Sequence, residues 1–94
     1  MKTQLETFDI SEYLDSKEAI AEYLSQVLED GDSDEFIRAI GYIAKAKGMS
    51  QIAKDANLGR ESLYKAFKEN AKPRFETVIK VLKALDIHLT LKAS

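Results

Sequence analysis

Cysteine and tryptophan are absent from this chain of 94 residues, which has one histidine, one proline and four glycines. Without cysteine there is no disulfide framework, no zinc–thiolate site and no thiol nucleophile. His88 has no companion ligand or nucleophile nearby in sequence, and it reads as a surface residue rather than a catalytic or metal-binding one. No glycine-rich loop has the spacing that cradles phosphate. No apolar run approaches membrane-spanning length, and the acidic N-terminus lacks the basic and apolar regions of a signal peptide. These absences point to a cytoplasmic protein that is not an enzyme, takes no cofactor and has no membrane partner.

A hydrophobic content of 45% beside 32% charged residues fits a folded chain. Its length fits one domain, with a core modest enough that a partner subunit would help it. The net charge of −2 conceals a strong asymmetry. Residues 1–36 hold eleven acids against two bases, a net −9, whereas residues 37–94 hold twelve bases against five acids, a net +7. Solvated helix faces sort charge this way by chance in some chains. The sharper reading is two surfaces for two partners, the basic one for a polyanion.

Apolar residues recur at helical spacing through five segments, giving an all-α fold. Phe8, Ile10, Tyr13 and Leu14 form an apolar lead-in, and Asp15 or Ser16 then caps a helix carrying Ala19, Ile20, Tyr23, Leu24, Val27 and Leu28. Asp30, Gly31 and Asp32 end it. Ser33 is placed to cap the second helix, with Phe36, Ile37, Ile40, Ile43 and Ala44 as its stripe and Gly48 as its stop. Ser50 is expected to open the third, with Ile52, Ala53 and Ala56 inward. A turn through Asn57, Leu58 and Gly59 leads to a fourth helix over residues 60–69. Asn57 tolerates a left-handed backbone, Leu58 reaches the core from the turn, and Gly59 admits a steep re-entry. Lys72, Pro73 and Arg74 connect to a fifth helix with Phe75, Val78, Ile79, Val81, Leu82 and Leu85 as its stripe.

The last segment alternates instead. Ile87, Leu89 and Leu91 fall on one face and His88, Thr90 and Lys92 on the other, which predicts a short strand over 87–92. No other segment reads as a strand, so pairing with a second copy would make Ile87, Leu89 and Leu91 a dimerisation surface. The organisation is then an acidic helical region over 1–32, a central unit over 33–85 and a dimerisation strand over 87–92.

The small residue Ala53, the turn and the apolar positions after it suit a helix-turn-helix, whose second helix lies in the DNA major groove. Basic residues surround it. Arg60 presents a fork of donors suited to guanine and Glu61 an acceptor suited to the cytosine amine. Tyr64 and Lys65, one turn on, reach a thymine methyl, a base acceptor or a phosphate. Ser50 and Gln51 should meet a phosphate at the third helix's N-terminus, and Lys54, Lys68, Lys72 and Arg74 are further phosphate contacts. Glu61 equally suits a helix N-terminus, and Tyr64 equally suits half-buried packing. Lys45 and Lys47 read as helix C-terminal charges.

The stretches FDISEYL, IAEYLSQVLEDGD, FIRAIGYIAKAKGMSQIAKDANLGRESLYKAF and KPRFETVIKVLKALDIHLTL, in that order and spacing, resemble the HigA-like group of addiction-module antidotes. That resemblance implies a five-helix, lambda-repressor-like helix-turn-helix domain. It implies a homodimeric antitoxin that binds a small basic RelE/ParE-like toxin and represses its own operon on operator double-stranded DNA. Two positions depart from the family pattern: Asp86 stands where glycine is frequent, and Ile40-Gly41 where an alanine- or leucine-glycine pair is usual. The acidic first third supplies a surface for a basic toxin, through Glu18, Glu22, Glu29 and Asp30 together with Phe8, Tyr13 and Leu14. A stand-alone helix-turn-helix regulator without a toxin, and a helical adaptor without nucleic-acid affinity, are the competing readings.

Overall fold

The computed structural model describes residues 16–93, so Phe8, Ile10, Tyr13, Leu14 and Asp15 lie outside the described residues. Five helices succeed one another: α1 (Lys17–Asp30), α2 (Ser33–Lys47), α3 (Met49–Ala56), α4 (Arg60–Ala66) and α5 (Phe75–Ala84). Ser16 caps α1, its Oγ accepting from the Ala19 N–H at 3.0 Å. The α2 cap falls on Asp32, one residue before the expected Ser33. Asp32 has the extended backbone a cap requires, and its Oδ1 accepts from the Glu35 N–H at 2.8 Å.

Gly48 serves two helices. At φ 114° its N–H donates to the carbonyls of Ala44 and Lys45, ending α2, while its own carbonyl accepts from the Ile52 N–H. The third helix therefore opens at Met49, whose side chain is buried, rather than at Ser50, which is exposed. Only a residue without Cβ holds such a φ without strain.

Asn57 ends α3 in the left-handed conformation, φ 59° and ψ 45°. The Leu58 N–H donates to the Ala53 carbonyl and the Asn57 N–H to the Lys54 carbonyl, which is a Schellman ending. Leu58 is partly buried against the core, as its place in the turn predicts. Gly59 is extended, φ −70° and ψ 146°, so its backbone is one any residue adopts. Helix α4 stops at Ala66, three residues short of expectation, because Phe67 leaves helical geometry and Asn70 turns left-handed at φ 66°.

The core draws on all five helices, with Ile20, Ile40, Ile43, Leu63, Val81 and Leu82 almost fully buried. Helix α2 packs against α1, α3 and α5, and α3 also packs against α4 and α5. Gly41 lets α2 approach the end of α4: a Cβ there would lie 3.2 Å from the Phe67 Cβ. Phe75, expected in the α5 stripe, is 69% exposed instead. It is the first residue of α5, and the buried face begins one turn later at Val78.

The C-terminal segment of the single chain differs from the sequence expectation in two respects. Among the described residues there is no strand, and residues 87–93 form no ladder within the chain. Ile87, expected on the dimerisation face, is packed in its own subunit's core at 7% exposure. The cause is local. Asp86 is left-handed at φ 65°, the Ile87 N–H donates to the Leu82 carbonyl, and the Asp86 N–H donates to the Lys83 carbonyl. This second Schellman ending turns Ile87 back onto the helix before it. Leu89 and Leu91 remain exposed, at 40% and 92%.

Candidate functional site

Leu63, fully buried, fixes the rotation of α4 about its axis. With that side chain inward, helical spacing turns Arg60, Glu61, Tyr64 and Lys65 outward, and all four are exposed. The Arg60 guanidinium carbon stands 5.6 Å from the centroid of the Tyr64 ring, within cation–π range. Tyr64 is 42% exposed, so its ring is accessible while it lies against Arg60.

Ser50, Gln51, Lys54, Lys68, Lys72 and Arg74 are exposed as well. Two of them are already occupied. Gln51 donates from Nε2 to Asp55 Oδ1 at 2.9 Å, one turn along the same helix. Lys72 donates from Nζ to Asp34 Oδ1 at 2.7 Å, joining the α4–α5 connector to the first turn of α2. The hydrogen bond from Lys72, then its charge, holds the Asp34 carboxyl below the usual carboxylate range, and the Arg38 charge acts the same way. Lys54, Lys68 and Arg74 are in no ion pair among the described residues.

Asp34, Ile37, Arg38, Phe67 and Lys68 line a cleft of about 330 Å³ beside the Lys72 pair. Asp34 and Asp55 were not among the expected functional residues. The Gln51–Asp55 pair is readable from its four-residue spacing on one helix. Nothing in local pattern announces a contact between residues 34 and 72.

On the opposite side of the charge asymmetry, Glu18, Glu22, Glu29 and Asp30 are all exposed on α1. Glu18, Glu22 and Glu29 share one helical stripe, turned away from the buried Ile20 and Leu24. The remaining expected contacts on this side, Phe8, Tyr13 and Leu14, lie outside the described residues. Ser25, Leu28 and Glu29 of α1 form one wall of a groove whose other wall is the segment from His88 to Lys92. A second ion pair, Lys17 Nζ to Asp86 Oδ2 at 2.9 Å, ties the start of α1 to the end of α5.

Among the described residues no helix is long and apolar enough to cross a membrane, and no group of three or more His, Asp or Glu is arranged to hold a metal.

The described residues form five helices and no strand, with an exposed acidic stripe on α1 and exposed basic residues around α3 and α4. A family model described as a probable addiction module antidote protein matches residues 4–93, and the chain belongs to that family. An uncharacterized protein of Haemophilus influenzae is 44% identical over 94 residues, spanning 100% of this chain and 97% of the relative. No solved structure matches. An antidote is defined by the toxin it counters, so membership implies a toxin partner.

Proposed function

We propose that this protein is the antitoxin of a type II toxin–antitoxin module, binding a small basic RelE/ParE-like toxin directly and repressing its own operon. It acts in the cytoplasm and performs no catalysis. The antidote family carries the first half of this reading. The α3–α4 pair carries the second: a left-handed turn pins Leu58, buries Leu63 and leaves Arg60, Glu61, Tyr64 and Lys65 outward beside exposed lysines. That arrangement suits a helix-turn-helix of the HigA-like, lambda-repressor-like kind, with α4 in the major groove and Lys54, Lys68, Lys72 and Arg74 on phosphates. The acidic stripe of α1 suits a basic partner.

Operator binding by this reading uses a homodimer, with the exposed Leu89 and Leu91 and the unpaired backbone around them meeting their twins. The test has two arms. Titration of the protein onto double-stranded DNA from upstream of its own coding sequence, at about 50 and 200 mM salt, should show sequence preference and a steep loss of affinity with salt. Co-expression with the product of a short reading frame adjoining its gene, where one encodes a basic protein, should yield a stable complex and relieve growth arrest. Salt-independent or absent DNA binding removes the repressor half, and no complex removes the antitoxin half.

A further inference from the structure

Among the cations assigned to DNA phosphates, Lys72 differs from Lys54, Lys68 and Arg74 in being held by a carboxylate of its own chain. The pair is not a neighbour contact along a helix. It spans 38 residues of sequence and brings the connector after α4 onto the first turn of α2. Asp34 Oδ1 lies 2.7 Å from Lys72 Nζ, the length of a charge-assisted bond such as an ammonium makes to a phosphate oxygen. Both side chains are more than half exposed, so the bond is open to exchange with an incoming anion. Asp32, not Asp34, caps α2, and a first-turn acid such as Asp34 favours the helix N-terminus without needing a lysine from the connector.

We infer that Asp34 is an intramolecular stand-in for a DNA phosphate: it occupies Lys72 in the free protein and must be displaced when the connector meets the DNA backbone. The inference rests on the proposed DNA-binding function. Its consequence is a lowered affinity for every DNA sequence, because a phosphate contact carries no base information. Lys72 then adds less than a free lysine would to the release of counterions, since each phosphate contact leaves an exposed carboxylate that draws a cation back.

The experiment is a double-mutant cycle on the full chain with Asp34→Asn, Lys72→Met and both together. Each protein is titrated onto the duplex from upstream of its own coding sequence and onto a random duplex of equal length, over a range of salt. Asp34→Asn should tighten binding to both duplexes by roughly two- to fivefold at low salt. It should also steepen the salt dependence by somewhat under one counterion. In the Lys72→Met background the same change should tighten binding much less, leaving only the general repulsion of a carboxylate near DNA and its effect on Arg38. A tightening of equal size with and without Lys72 overturns the inference, since Asp34 would then act only as a repulsive charge near DNA. Unchanged or weakened binding by Asp34→Asn overturns it too, leaving the DNA reading intact. Failure of all four proteins to bind either duplex overturns the inference together with that reading.

Discussion

The chain leaves α3 and α5 by the same route and arrives at different places. Asn57 and Asp86 both turn left-handed, at φ 59° and 65°, and both endings carry the same two backbone hydrogen bonds of a Schellman motif. In each, the next residue is apolar and folds back on the core, Leu58 in one and Ile87 in the other. After Leu58 the chain re-enters helix and presents Arg60, Glu61, Tyr64 and Lys65 outward. After Ile87 it runs on without regular structure, with Leu89 and Leu91 exposed. A local motif thus sets how a helix stops. The path of the chain beyond the stop depends on whether a buried packing residue lies further along it, as Leu63 does for α4 and none of the described residues does beyond Ile87.

The strongest way to break the parallel is through the two folded-back residues. Ile87 is buried at 7% exposure whereas Leu58 is only partly buried. Ile87→Ala should therefore cost about 2–5 kcal/mol and Leu58→Ala markedly less, read from denaturant midpoints. Equal losses would mean that the turn after α3 carries as much of the core as the turn after α5. The same burial decides where the tail can be cut. Truncation after Asp86 removes a core side chain and should destabilise the fold. Truncation after His88 keeps Ile87 and should leave a folded monomer by sedimentation, with operator binding much weakened. A dimer surviving the second cut would place the subunit contact elsewhere.

The same contrast decides which features are legible in the sequence. Asn57 and Leu58 are read correctly because their effects are local, a left-handed turn and an inward apolar residue, and Ser16 is one of the two caps expected for α1. The five helices emerge from their apolar periods. The alternation of Ile87, Leu89 and Leu91 does not announce that a helix ending folds Ile87 back onto its own core. The outward face of α4 is legible once Leu63 is assigned inward, and so is the acidic stripe of α1. The bond between Lys72 and Asp34 is not, because it depends on how the connector and α2 meet in space.

The region after Asn57 sharpens the comparison through the side chains it presents. Under the proposed reading, Arg60→Ala should reduce discrimination between operator and random DNA by ~1–3 kcal/mol, with a smaller loss of general affinity. Competition titrations with both duplexes measure this, and equal weakening on both would make Arg60 a phosphate contact. Tyr64→Phe keeps the ring beside Arg60 and should retain most of the discrimination. At Asn57 itself, Asn57→Ala should cost about 1 kcal/mol or more, because a Cβ without a local polar partner is strained at positive φ. Asn57→Gly should be close to neutral in a thermal melt.

The smallest effect belongs to Asp86, where the ion pair and the turn are separable. The hydrogen bond from Lys17, then its charge, holds the Asp86 carboxyl below the usual carboxylate range, and the same bond raises the Lys17 ammonium above its ordinary value. A carboxyl lowered by folding stabilises the fold above about pH 4, where the unfolded chain's carboxyl is also ionised. That contribution fades as pH falls through the lower folded value. The raised ammonium contributes below about pH 10 and fades as pH climbs through its own folded value. Both groups are highly exposed, so the pair is weak and salt-sensitive. Asp86→Asn keeps a side chain that tolerates the left-handed backbone and removes only the charge. It should lower the melting temperature slightly at neutral pH, and the difference from the unaltered protein should vanish as pH falls well below about 4. A deficit that persists at low pH would show that the turn itself, rather than its bond to α1, is what the aspartate supports.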